Sequence, residues 1–162
     1  MYTLLELSNK VATHYWPAEL SEPIYEGSAS TVDNLPPGTA TSAMHAAEIL
    51  VPKAIHTDNK SHLYASNRED PSEEGDTIAI FALTDKDNGK AIPELVRQVR
   101  TGLRHVRGMH FGGANDQWLI AGGVNKGGVK VFKRIVDKNG REDLEFITEN
   151  KDIEKPTAFI WF

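Results

Sequence analysis

Residues 103–132 read LRHVRGMHFGGANDQWLIAGGVNKGGVKVF, from Leu103 to Phe132. Three short apolar runs, RGMHF, WLIAGG and GVKVF, are separated by glycine, asparagine and aspartate. Runs of this kind, closed by turn formers, read as strands. The glycines fail the phosphate-loop templates. GGVNKGGVK has neither the GxGxxG spacing nor GxxxxGK followed by Ser or Thr, and no helical pattern follows it. Asn125-Lys126-Gly127 reads instead as a hairpin turn that needs positive φ.

Working outward, the same pattern recurs. Ala47–Val51, Leu63–Asn67, Thr77–Phe81 and Glu94–Val96 make one unit of four runs. Arg107–Phe111, Trp118–Gly122, Gly128–Phe132 and Asp143–Phe146 make the next, which begins 60 residues later. The segment AIPELVRQVR has an apolar spacing that could be helical, but the repeat puts a strand there. At the start, Tyr2–Glu6, Lys10–Tyr15 and a poor outer segment near Ile24-Tyr25 supply the last three runs of a unit. The tail, Thr157–Trp161, reads as a lone first strand 50 residues after Arg107. Four strands per unit at this period predict β-propeller blades.

The expected fold is therefore all-β. It is a partial propeller of about three four-stranded antiparallel blades, spanning roughly 1–45, 46–105 and 106–155, with a final strand over 156–162. A blade buries its faces only against neighbours. Closed propellers typically use 4–8 blades. This chain would thus be part of a longer ring, or copies would associate through open blade edges. The tail could supply the missing first strand of unit one, as a clasp or a swapped strand. Trp118, Phe132, Phe159, Trp161 and Phe162 are the expected inter-blade fillers.

Composition narrows the chemistry. The 162 residues suffice for one domain with a sizeable core. A net charge of -5 argues against nucleic acid or an anionic membrane as the main partner. The absence of cysteine removes thiolate metal sites, disulfides and cysteine nucleophiles, and fits a cytoplasmic protein. No HExxH or compact ligand cluster occurs, so neither a metal nor another cofactor is expected.

The stretches YTLLELSNKVATHYW, MHAAEILVP with LYASNREDPSEEGDTIAIFAL, and TGLRHVRGMHFGGANDQWLIAGGVNKGGVKVF, ending in KPTAFIWF, resemble the seven-bladed β-propeller lactonase family. That family includes propeller-type 6-phosphogluconolactonases and fungal carboxy-cis,cis-muconate cyclases, and the wording is closest to the fungal members. The resemblance covers nearly the whole chain and matches the C-terminal part of a family member. It implies a small anionic sugar-acid lactone or carboxymuconate as substrate. It also implies that Glu48 in AAEI and Arg107 in HVRG face the central pocket. A further catalytic histidine and arginine would lie on earlier blades. The histidine position is outside this chain, and TVDNLPPGTATSAMH before Glu48 contains no arginine.

Each candidate has a plain structural alternative. Glu48, set among apolar neighbours, must be solvated, paired or shifted in pKa. It suits acid/base work on a lactone, or an inter-blade salt bridge. Arg107 precedes Gly108 and suits bidentate capture of a carboxylate or phosphate, or bonding of loop carbonyls. His45 and His105 lie at the same blade end, as proton carriers or rim residues. Arg68 could capture an anion at the pocket mouth, or stabilise its turn through Glu69, Asp70 or the SEEGD run. The run Glu69–Asp76 reads as a solvated insertion. His110 reads as a core or inter-blade residue; His14, His56 and His62 read as surface or strand-edge residues. The alternative to a lactonase or cycloisomerase is a non-catalytic propeller module that serves as a scaffold.

Overall fold

Alternating side chains on β5 and β6 show how the blades are assembled. In the computed structural model, residues 1–33, 35, 37–53, 61–83 and 92–161 are described. His56 and Phe162 lie outside them. Eleven strands form: β1 (Tyr2–Leu5), β2 (Lys10–Tyr15), β3 (Ile24–Ser30), β4 (His45–Leu50), β5 (Ser61–Arg68), β6 (Thr77–Leu83), β7 (Glu94–Arg100), β8 (Arg104–Gly112), β9 (Trp118–Lys126), β10 (Gly128–Val136) and β11 (Glu142–Asn150). They make three antiparallel meanders: β1-β2-β3, β4-β5-β6-β7 and β8-β9-β10-β11. The described residues are thus nearly all β, in partial propeller blades, and the segment with a helical spacing is strand β7.

Successive residues of a strand point to opposite faces. Leu63, Ala65, Ala79 and Phe81 pack with Val11 of the first sheet. Tyr64, Ile78 and Ile80 pack the other way, with Val106, Met109, Phe111 and Leu119 of the third. The second sheet is therefore buried on both faces, as a blade between two blades must be. Like strands stack: β4 lies beside β8, and β7 beside β11. Polar ties cross the same interfaces. Thr31 Oγ1 donates to Asn67 Oδ1 at 2.6 Å, and Asn67 Nδ2 donates back to Thr31 O at 2.7 Å.

Three expectations need correction. The tail is extended but, among the described residues, pairs with no strand. It lies on the face of the third sheet turned away from the second, over glycines of the opening stretch. A Cβ on Gly108 would stand 2.4 Å from Thr157 O, one on Gly122 2.7 Å from Phe159 and Pro156, and one on Gly112 2.0 Å from the Trp161 ring. Side chains filling a glycine groove take the place of a backbone ladder. Second, the acidic run is not simply solvated. Asp70 and Asp76 are buried; Asp70 pairs with Arg100, and Asp76 caps backbone N–H groups. Third, His62 is buried and its Nδ1 lies 2.6 Å from Glu142 Oε2.

The groove makes a prediction. Gly112→Ala should push the tail off the sheet, because a methyl group cannot share space with the Trp161 ring. The half-exposed indole would then become fully wet, so a red shift of its tryptophan emission is expected. Unchanged emission would mean that the tail does not depend on this groove. Among the described residues no helix is long and apolar enough to cross a membrane.

Candidate active site

Both residues singled out at blade starts sit where their ladders are irregular. On β4, Ala46 pairs with Asn67 but the next partners are Ile49 and Ala65. Three steps on β4 therefore oppose two on β5, and the surplus falls at Ala47-Glu48. On β8, Val106 pairs with Gly123 and Gly108 with Gly122, so Arg107 is the surplus residue. A bulge of this kind bends the strand and re-aims a side chain, which is why bulges collect beside functional sites.

One buried hydroxyl joins the two bulges. Glu48 N–H donates to Ser66 Oγ at 3.1 Å, and Ser66 Oγ–H donates to Val106 O at 3.3 Å. Ser66 is fully buried. On the other side of Val106, its N–H donates to Asp76 Oδ2 at 2.9 Å. The backbone flanking Glu48 and Arg107 is thus fixed by Ser66 of β5 and by Asp76, which immediately precedes β6.

The two side chains differ in environment. Glu48 is half-buried. Burial raises its pKa above the ordinary carboxylate value, opposed by the Ile49 N–H and by His110 nearby on β8. Asp76 is raised by burial as well, against hydrogen bonds from Val106 and Asp70. Arg107 is exposed, and among the described residues no carboxylate or carbonyl engages its side chain. A planar cation without a partner is available to an anion.

The other candidates gather at one blade end. His45 stands opposite Arg68 in the β4–β5 ladder. Arg68 Nη1 donates to His105 Nε2 at 3.3 Å, and its Nη2 pairs with Glu6 of the first sheet's β1–β2 turn. His105, at φ +61°, turns Nδ1 to Glu69. Arg68 therefore pairs with Glu6 and His105, while Arg100 takes Asp70 and, at 3.8 Å, Glu74. Both ring nitrogens of His105 are engaged, so Glu6, Arg68, His105 and Glu69 form a rim chain across three sheets. No group of three or more His, Asp or Glu side chains that could hold a metal ion occurs among the described residues.

The family model described as "Lactonase, 7-bladed beta-propeller" matches residues 1–161. This chain belongs to that lactonase family. A crystal structure of a protein from Lactobacillus plantarum has the same fold, with a TM-score of 0.68 at 19% identity. The match covers 97% of this chain and 40% of that one, so these blades span two-fifths of that structure's length. No curated protein matches.

Within this lactonase-family chain, sequence reasoning missed Ser66, Asp76 and a buried cluster between the second and third sheets. There Glu142 meets Arg134, Tyr64 and His62. A hydroxyl in YASNR and a carboxylate in EEGD carry no signal of their own. Only the fold brings them to the bulges.

Proposed function

We propose that these blades serve an enzyme that opens or closes an intramolecular ester in a small anionic sugar acid or muconate. The observation that carries the reading is the pair of bulges, with a carboxyl of raised pKa on one and, on the other, a guanidinium with no partner among the described residues. In lactone opening, Glu48 takes a proton from water as the water oxygen bonds to the ring carbonyl carbon. The acyl C–O bond then breaks, and Glu48 returns the proton to the departing ring oxygen. In cycloisomerisation a carboxylate oxygen of the substrate bonds to one carbon of a C=C double bond, the π bond breaks, and the protonated Glu48 carboxyl delivers its proton to the neighbouring carbon. Arg107 holds the substrate carboxylate or phosphate. A base with a raised pKa stays protonated to higher pH, so turnover should rise with pH through a point above 4.5. His45, Arg68 and His105 frame the rim through which the substrate would enter.

The test is turnover of 6-phosphogluconolactone and of carboxymuconate, by this chain and by the longest open reading frame that contains it. At least one form should turn over one of the two; inactivity of both forms on both substrates would sink the reading. Arg107→Gln should raise KM for the active anionic substrate by roughly 10- to 100-fold, the weight of a charge-assisted pair. A neutral lactone should be unaffected. Equal losses on charged and neutral substrates would remove Arg107 from the anchor role.

A further inference from the structure

We propose that the cleft between the β9–β10 hairpin and the end of β11 binds a phosphate-type dianion through Lys126, Lys130 and Lys151. The cleft has a volume of about 450 Å³ and is lined by Gly102, Lys126, Gly127, Lys130, Glu149 and Lys151. Neither Glu48 nor Arg107 lines it, and the inference rests on the cleft's own geometry, not on the lactone chemistry.

Charge is the first argument. Lys151 Nζ lies 2.8 Å from Glu149 Oε1, and Lys130 Nζ lies 3.6 Å from Glu149 Oε2. One carboxylate thus serves two ammonium groups. Lys126 is exposed and no acidic side chain pairs with it among the described residues. Three positive charges against one negative leave an excess of two, on a protein whose net charge is -5. That local excess matches a dianion. An overall negative protein disfavours a long polyanion such as nucleic acid.

Preorganisation is the second. The Lys130 side chain is only 15% exposed, and its ammonium stands 5.4 Å from the Phe146 ring centroid. It occupies space that only glycine leaves: a Cβ on Gly102 would come within 2.6 Å of Nζ. A cation already held in place loses little freedom on binding. A neighbouring cleft shares Lys126, Gly127 and Lys151 and adds Lys155 and Glu154, one charge of each sign, so the excess of two is unchanged and there is room for the rest of a small phosphorylated molecule.

The experiment titrates inorganic phosphate into the protein at constant ionic strength, read by calorimetry. Saturable one-to-one binding is expected. Lys126→Gln should weaken it about tenfold. Glu149→Gln should tighten it at least about threefold, by removing the carboxylate that competes for Lys130 and Lys151. Thermal melting of each variant confirms folding. No saturable binding, unchanged affinity in Lys126→Gln, or weaker binding in Glu149→Gln would overturn the proposal. Loss of binding in Arg107→Gln instead would put phosphate at the bulge pair and equally overturn it.

Discussion

Replacing Arg134 with methionine is expected to destabilise the protein by about 3–5 kcal/mol, because it leaves a carboxylate buried without its cation. Arg134 and Glu142 are 1% and 0% exposed as side chains. The guanidinium reaches Glu142 Oε1 from Nε at 2.7 Å and from Nη2 at 2.5 Å. Its Nη1 donates to Lys53 O at 3.0 Å and to Asp116 O at 3.2 Å. The cation also stands 5.3 Å from the Phe111 ring and 5.8 Å from that of Tyr64. Tyr64 and His62 come from β5 and bind the same carboxylate. The cluster therefore locks the second sheet to the third.

Its pH dependence has a definite sign. Burial alone would raise the Glu142 pKa, but hydrogen bonds from His62 and Tyr64 and the charge of Arg134 outweigh it and hold the value at about 2. A lowered carboxyl pKa contributes stability that is fully present above about 4.5 and is lost as pH falls through about 2. From 4.5 to about 2 the contribution is roughly 3 kcal/mol. Urea midpoints at pH 5, 3 and 2 would follow that loss. In Arg134→Met the starting stability should be lower and the acid-dependent loss smaller. A change below about 1 kcal/mol in the variant would show that the ion pair does not hold the blades together.

Glu48→Gln is expected to lower kcat by roughly 100- to 10,000-fold with little change in KM, the usual range for a lost general base. The amide keeps the shape of the side chain and the backbone bond to Ser66, so folding should persist. Loss of kcat with normal melting separates chemistry from stability. If Glu48 only braced the blades, melting would shift and kcat would follow the folded fraction.

The repeat was legible because blade strands alternate between two buried faces, and that period survives in the sequence at Leu63 to Ala65 and Thr77 to Phe81. Strand ends were less so: Arg68, Arg100 and Lys126 look like loop residues but still belong to the ladders. The tail shows the limit of pattern. Thr157 to Trp161 alternates like a strand, yet a strand also needs a free edge, and the glycine groove offered only a face. The bulges are illegible in the sequence for a related reason. A surplus residue exists only relative to the partner strand, so nothing in HAAEIL or HVRGMH announces it. Glu48 and Arg107 are legible only through the family resemblance. Ser66 carries no signal, because its role depends on one hydroxyl reaching two strands. The Glu142 cluster joins residues up to 80 positions apart, so its charges read as ordinary exposed strand residues.

The most direct test of the central claim is the pH profile of lactone turnover in the wild type beside Glu48→Gln, on whichever form of the protein proves active. The wild type should lose kcat/KM on the acid side, with an apparent pKa above 4.5 that reports the half-buried Glu48 carboxyl. The variant should retain only a small residual rate without that acid limb. An unchanged profile in Glu48→Gln would contradict the account, since the proton would then be moved by another group.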